Sequence, residues 1–342
     1  CVQSKLVFLG DDLASHADTS TVLTPVSRES VEGSRIYKRS IAFLLAAAAQ
    51  KCDIKGLSIM ESVGASFHFS IDGGAIDSDT ASCLTNSMEE IIAEKIPISA
   101  SYLPREEVIK AFTEQKANRS LALVNTMHDT HIHCHMCNLG NKGGRFIALV
   151  HNIIVDNTSL IEASHFSLEV TAAPFLHYRL YHATMNVATD KFELVRLEEA
   201  LLMEAYAIRK EWGSRLKLES VADVNNSIAN SNTKSIIQLS EALHDNQVVS
   251  ISNAIVGPIG APSTGPKPRL VLIAGPSSSG KTTFAKRLGV ALETLGAKPV
   301  VVSVDSYYKA WQDIDSRGMQ HVDWESLDSL NLAQLNEHII DL

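Results

Sequence analysis

The stretch LVLIAGPSSSGKTTFAKRL, residues 270–288, joins an apolar run, a Gly- and Ser-rich loop and a helix-like continuation. The run RLVLIA is typical of a buried parallel strand, and helical periodicity continues after the loop as far as Gly296. The loop matches G-x-x-x-x-G-K-[ST], and strand, loop and helix occur in the order that this phosphate-binding motif requires. The sequence therefore predicts an α/β domain with a parallel sheet and a phosphate site at a helix N-terminus.

The residue types of the loop suit an anion. Glycines let backbone N–H groups curl around a phosphate, and the helix N-terminus adds partial positive charge. Lys281 is expected to reach the β- and γ-phosphates of ATP, and the Thr282 hydroxyl to bind Mg²⁺. The serines either donate to phosphate or are simply small enough for the loop. The expected nucleotide-binding residues are Gly275, Ser277, Ser278, Ser279, Gly280, Lys281, Thr282 and Thr283.

A second apolar run, KPVVVSVD at 298–305, predicts another strand of the same sheet. Ligands of open parallel sheets lie beyond the carboxyl ends of the strands, so Asp305 is expected close to the loop. Three roles are open to its carboxylate: a Mg²⁺ ligand, a general base for an attacking hydroxyl, or a capping group at a turn.

The composition of the chain indicates how many domains to expect and which classes of protein are disfavoured. With 342 residues, 45% of them hydrophobic, the chain is long enough for two or three domains. A net charge of −9 argues against a general nucleic-acid coat but leaves a local basic groove open. The apolar run at 41–49 is too short to span a bilayer, so no membrane association is expected. Five sparse cysteines argue against a disulfide framework and favour a reducing compartment, the cytoplasm.

The chain before the loop predicts a different architecture. A helix at 34–51, a hairpin at 57–72 that turns at Gly64, and helices at 84–97 and 104–115 indicate an α+β domain. Mostly extended chain is expected over 119–195, a long helix over 196–218 and two helices over 220–256. The Gly- and Pro-rich segment 257–268 is typical of a linker and marks the expected main domain boundary.

Three stretches together resemble the uridine kinase and phosphoribulokinase family of P-loop kinases: GPSSSGKTTFAKRL, VSVDSYY and HVDWESLDSLNL. The resemblance implies that Asp305 acts as base on a nucleoside 5′-hydroxyl, alongside Lys281 in catalysis. It also implies that Tyr308 lies against the nucleoside and that Asp323 hydrogen-bonds ribose hydroxyls. The alternatives are simple packing of Tyr308 and, for Asp323, an N-cap role at an expected helix over ESLDSLNLAQLNEHII, residues 325–340.

The N-terminal half resembles the second additional domain of threonyl-tRNA synthetases. GSRIYKRSIAFLLAAA, ASFHFSIDG, MEEIIAEKIPI and PREEVIKAF occur in the order of that domain. A His-x-x-x-His pair supports editing there, but the matching positions here are Arg39 and Phe43, so an editing activity is not expected. The expected regions are 1–27, a remnant similar to a TGS domain; 28–218, the synthetase-like domain; 219–268, a connector; and 269–342, the kinase domain.

A metal-capable cluster, HDTHIHCHMC, occupies residues 128–137. Strand alternation would place His131, His133, His135 and Cys137 on one face, opposite Cys134, with His128 just before the strand. Ligands in a row on one strand point in parallel, whereas zinc sites usually draw on two separate segments. The favoured interpretation is a His-rich exposed strand or loop, with a metal site as the alternative.

The resulting hypothesis is an ATP-dependent kinase of a nucleoside such as uridine or cytidine. The alternatives are a kinase for another hydroxyl acceptor, such as a sugar phosphate, and an ATP-binding regulatory or RNA-linked protein in which tRNA binding stays open. The chain opens with Cys and stops within HIIDL, so we expect a fragment. By resemblance, the later strands, lid and arginines lie beyond Leu342, and residues 1–342 alone are expected to bind nucleotide poorly and not to turn over.

Overall fold

A computed structural model describes ten ranges of the chain: 25–72, 77–140, 143–170, 178–186, 188–196, 200–260, 268–314, 318–319, 322–324 and 326–342. The proposed remnant at 1–27 lies almost wholly outside them. The chain divides into two compact units after Asn230. We call them the first unit, up to Asn230, and the second unit, from Ser231. None of the described helices is long and apolar enough to cross a membrane.

The first unit mixes helices with antiparallel sheets. Its helices are α1 (Val31–Lys51), α2 (Ser78–Ala93), α3 (Arg105–Glu114), α4 (Asn118–Thr126), α5 (Ala200–Leu216) and α6 (Val221–Ala229). Its strands are β1 (Leu57–Val63), β2 (Ser66–Ile71), β3 (Ile98–Pro104), β4 (His131–Asn138), β5 (Arg145–Ala148), β6 (Phe166–Val170), β7 (Tyr178–Asn186) and β8 (Lys191–Leu194). The expected α+β order of helix, hairpin, helix, helix is confirmed for α1, β1–β2, α2 and α3, with the unpredicted strand β3 between the last two. Helix α4 occupies the start of the range 119–195, which was expected to be mostly extended.

Local chemistry sets the element boundaries. Helix α1 begins three residues before the predicted Ser34, because the Ser30 hydroxyl accepts a hydrogen bond from the Gly33 N–H at 3.1 Å. Helix α2 likewise begins before its predicted start, since Asp77 caps it through the Thr80 N–H at 2.6 Å. Gly64, with φ +54°, makes the predicted hairpin turn between β1 and β2.

Two sheets organise this unit. One has the order β1-β2-β7-β6, with β8 also paired to β7, and the other has the order β3-β4-β5. Every pairing is antiparallel. Strands β1 and β5 are therefore edge strands of different sheets, and α1 packs against both of them. The main core, around Leu44, Phe69 and Ile91, lies between α1, α2 and the larger sheet, while α3 and α4 cover the smaller sheet.

The second unit is mainly helical. It contains α7 (Thr233–Val256), α8 (Lys281–Thr294), α9 (Trp311–Ile314) and α10 (Leu332–Asp341). Buried Val248, Leu288 and Leu292 join α7 to α8 in a small core. Because α7 packs on α8, the compact units divide at Asn230 rather than in the Gly- and Pro-rich segment, of which residues 261–267 lie outside the description.

The predicted parallel sheet is not observed in the described part of the second unit. Residues 268–273 and 297–303 contain no strand, and Leu272 and Val300 are 83% and 65% exposed. An extended run becomes a strand only when its N–H and C=O groups pair with a neighbour. The prediction of two buried parallel strands is therefore wrong for the described residues, because no described strand pairs with either run. The expected mixture of α and β structure holds for the chain as a whole.

Candidate functional site

The phosphate-loop motif folds into a tight turn that leads directly into α8. Gly280 has φ +86°, a left-handed conformation that favours glycine, and helix α8 of 14 residues starts at the next residue. Its first turn closes when the Phe284 N–H donates to the Gly280 carbonyl at 2.9 Å. The N–H groups of the residues between, including Thr282 and Thr283, have no partner within the helix and carry its partial positive charge.

At Gly275 a side chain would fit only if the Ser279 side chain moved. A Cβ added there would lie 2.8 Å from the Ser279 Oγ, closer than real contacts allow. The loop thus returns on itself at this point, with the Ser279 N–H donating to the Pro276 carbonyl at 3.3 Å. Ser278 takes a positive φ of +59°, and Ser277 completes the turn. These loop residues are exposed, so a phosphate can reach the backbone.

Lys281 folds back over the loop. Its Nζ donates to the carbonyl oxygens of Gly275 and Pro276 at 2.7 and 2.8 Å. The ammonium group therefore lies across the same turn whose N–H groups are available to an anion. Thr282 is exposed on the first helical turn, the position from which a hydroxyl can bind Mg²⁺ at a phosphate. The residues present thus fit a magnesium nucleotide.

The residues expected to face an acceptor, Asp305, Tyr308 and Asp323, lie on two other segments of the second unit. Asp305 is exposed on a 3₁₀ turn, Val304–Tyr307, rather than at the end of a paired strand. The Tyr308 hydroxyl donates to the Trp324 carbonyl at 3.1 Å, and the two rings pack edge to face. The structure therefore brings Tyr308 to the segment that carries Asp323. The packing alternative for Tyr308 has a concrete contact, and its ring is still 40% exposed.

Asp323 does not cap the helix that was expected to begin at 325. Helix α10 begins at Leu332, and its cap is Asn331, whose Oδ1 accepts from the Gln334 N–H at 3.2 Å. Asp323 is exposed and its carbonyl accepts from the Ser326 N–H at 3.2 Å. The N-cap alternative is therefore wrong for α10. Contact with a ribose stays a prediction.

The histidine-rich stretch forms a strand, β4, as predicted, but the strand is not exposed throughout. His131 and His133 are exposed, whereas Cys134, His135 and Cys137 are buried, the two cysteines within the two hydrophobic cores. The His133 and His135 rings pack edge to face on one side of it, with centroids 5.2 Å apart, as strand alternation requires. Burial lowers the pKa of His135 to about 4 and raises the pKa values of Cys134 and Cys137 to about 11 and 12. Both thiols are thus protonated at neutral pH. Among the residues that the structure describes, no three His, Cys, Asp or Glu side chains are grouped to hold a metal ion.

The two synthetase-like positions lie on one face of α1. Phe43 is buried against Phe146, with ring centroids 5.2 Å apart, while Arg39 is half-buried beside a cavity of about 660 Å³. Sequence reasoning did not find this cavity. Its one signal was a charged residue among the apolar residues of the helix.

Comparison with known proteins adds no family. No protein-family model matches the chain, and no curated protein matches it in sequence.

Proposed function

We propose that the protein is an ATP-dependent kinase that phosphorylates the 5′-hydroxyl of a nucleoside, with uridine or cytidine as acceptor. The observation that carries the proposal is the loop geometry: a left-handed Gly280 at the start of α8, and Lys281 held across the turn. In P-loop enzymes the backbone N–H groups of the loop and the ammonium group of its lysine bind the phosphates of the nucleotide. Thr282 would hold Mg²⁺, which neutralises charge on the phosphates.

The acceptor assignment rests on the resemblance of the Asp305, Tyr308 and Asp323 segments to nucleoside kinases. In this proposal Asp305 accepts the proton of the 5′-hydroxyl as that oxygen attacks the γ-phosphate. The half-exposed Tyr308 ring stacks on the base, and the exposed Asp323 carboxylate accepts from ribose hydroxyls. Catalysis is then mainly positioning and charge neutralisation.

The first test is calorimetric binding of Mg²⁺-ATP to the full-length protein and to two lysine variants of it. Lys281→Ala is expected to weaken binding by about tenfold or more, because it removes a charge-assisted hydrogen bond to phosphate. Lys286→Ala, an exposed position on the same helix, is the matched control and is expected to bind as the parent does. Equal binding by the parent and Lys281→Ala would contradict the nucleotide assignment of the loop.

The second test is phosphate transfer from ATP by the full-length protein to uridine, cytidine, purine nucleosides and sugar phosphates. Transfer to uridine or cytidine that Asp305→Asn reduces by about a hundredfold or more would support both the acceptor and the base. Transfer to a sugar phosphate alone would replace the acceptor. ATP binding without transfer to any acceptor would point to a regulatory ATP-binding protein.

A further inference from the structure

The first unit contains a cavity of about 660 Å³ that the proposed kinase chemistry does not use. It lies where the two sheets present their edge strands, β1 on one side and β5 on the other, with α1 along its length. Residues three, four and seven apart on one helical face line it: Arg39, Ala42, Phe43, Ala46, Ala49 and Gln50. Sites for small organic molecules usually have about 300–1,000 Å³, so this volume is adequate for one.

The inner wall is apolar and rigid. Phe43, Phe112, Phe146 and Ile147 are each less than 5% exposed and line the cavity together with the alanines of α1. Gln50 closes one end by donating to the carbonyl oxygens of Gly143 and Arg145 at 2.5 and 3.2 Å. A molecule with a flat apolar body would therefore contact mainly apolar side chains on this wall.

Arg39 differs from the other arginines and lysines of the lining because its guanidinium group has no partner among the described residues. Its Nε is buried and, among the described residues, has no hydrogen-bond partner and no ion pair reaches its guanidinium. The acidic residue that acts on it electrostatically, Glu32, is bonded to Arg35 at 2.8 Å. A buried guanidinium donor without an acceptor is costly. The Arg39 Nε itself is out of reach of an occupant, so an anion in the cavity would bind the two Nη groups, which are not among the buried donors.

The other cations of the lining are already paired. The Lys55 Nζ lies 3.3 Å from the Asp53 Oδ1, and the Arg119 Nη2 lies 3.8 Å from the Glu219 Oε2. The Arg145 Nη1 lies 2.5 Å from the Glu107 Oε1. These charges are therefore neutralised.

Of the two lining carboxylates, Asp53 is paired with Lys55 and Glu114 makes no ion pair among the described residues, and neither is among the groups that act on Arg39. Within the described chain, Arg39 is thus the lining arginine or lysine without an ion pair.

We propose that this cavity binds a small organic anion with a flat apolar body, its carboxylate on the Arg39 guanidinium and its body against Phe43 and Phe112. A planar guanidinium fork suits a carboxylate, which accepts two parallel N–H bonds. The site is independent of the phosphate loop, since all of its residues belong to the first unit.

The test uses naphthalene-2-carboxylate and its neutral isostere naphthalene-2-carboxamide as probes of the whole chain. Alanine methyl groups labelled with ¹³C report the location, because Ala42, Ala46, Ala49 and Ala111 line the cavity. The carboxylate is expected to shift these methyl signals and to bind about tenfold or more tightly than the amide. No binding of the carboxylate at millimolar concentration, shifts confined to other alanines, or equal binding of the two probes would overturn the proposal.

Three variants locate the determinants. Arg39→Gln is expected to reduce the affinity for the carboxylate to that for the amide, whereas Lys110→Gln, an exposed lysine of α3 outside the lining, is expected to leave it unchanged. Ala46→Leu keeps Arg39 but fills space and is expected to weaken both probes. Should Arg39→Gln fail to fold, Ala46→Leu still decides: unchanged binding of both probes in that variant would place them outside the cavity.

Discussion

Both units contain apolar runs with a strand-like pattern, but these residues are buried in the first unit and mostly exposed in the second. In the first unit the strands β2 and β7 pair, and Phe69 and Leu180 are completely buried between sheet and helix. In the second unit, Leu272 and Val300 have the same strand-like context and are mostly exposed. The pattern of apolar residues therefore indicates which side chains are stabilised by burial. Whether they are buried depends on a neighbouring strand or helix that packs against them.

The largest expected effect comes from truncating the core of the first unit. Phe69→Ala removes a ring that is fully buried and stacked on Tyr178, with centroids 4.9 Å apart. We expect a loss of about 3–5 kcal/mol in the free energy of unfolding, from transfer and cavity terms. Urea denaturation measures it, with hydrogen exchange assigning the transition to a unit.

The matched variant in the second unit is Leu272→Ala. At 83% exposure this side chain buries little, so we expect a change within about 0.5 kcal/mol. A loss of about 2 kcal/mol or more would break the comparison, because it would mean that Leu272 is packed as a strand residue.

The stability of the first unit is expected to depend on pH through the buried His135, which gives a second way to compare the two units. Its folded pKa of about 4 lies below the ordinary 6.5, because burial and the nearby His133 and Arg39 disfavour the charged ring. Between these pH values the unfolded state binds more protons, so stability is complete above about pH 6.5 and falls as the pH drops toward 4. The full loss amounts to about 3 kcal/mol.

The measurement is urea denaturation of the first unit at several pH values between 4 and 7. His135→Gln is expected to flatten the slope over this window, whatever it does to stability at pH 7. His131→Gln, on the same strand and exposed, is the control and should keep the parental slope. An unchanged slope in His135→Gln would show that other groups, such as His165 or His182, whose pKa values burial also lowers, are responsible.

The smallest expected effects distinguish two glycines of the second unit. Gly280→Ala forces a side chain into a left-handed conformation and is expected to destabilise α8 by about 1 kcal/mol. Gly289→Ala has ordinary contacts at 3.9 Å to Pro299 and Val301, so we expect it to stabilise the helix by up to about 1 kcal/mol. Thermal unfolding measures both. Destabilisation by Gly289→Ala would imply closer packing of the 299–301 segment on α8.

The sequence predicted what local chemistry controls. Helical spacing located α1, α3, α6 and α7, the Gly64 turn fixed the hairpin, and the motif located the loop and the start of α8. Side-chain caps were harder to anticipate, so α1 and α2 began earlier than expected. The boundary between units was misplaced because it depends on the packing of α7 against α8, a contact between distant residues.

The site was predictable to the same extent. A contiguous motif defines the loop, whereas the cavity assembles from α1, α3, β1 and β5, which no short pattern connects. The contact between Tyr308 and Trp324 is likewise a product of chain reversal. The charge of Arg39 on an otherwise apolar helix face was the one local sign that something other than core lies beside α1.

The hydrogen bonds of Lys281 have a consequence for the loop before any ligand arrives. An ammonium has three N–H donors, and the carbonyl oxygens of Gly275 and Pro276 take two of them, so one is available to an incoming anion. A long lysine chain loses up to about 2 kcal/mol of rotamer entropy when it is fixed, and here that loss belongs to folding. The loop is thus preorganised: a phosphate meets a cation already in position.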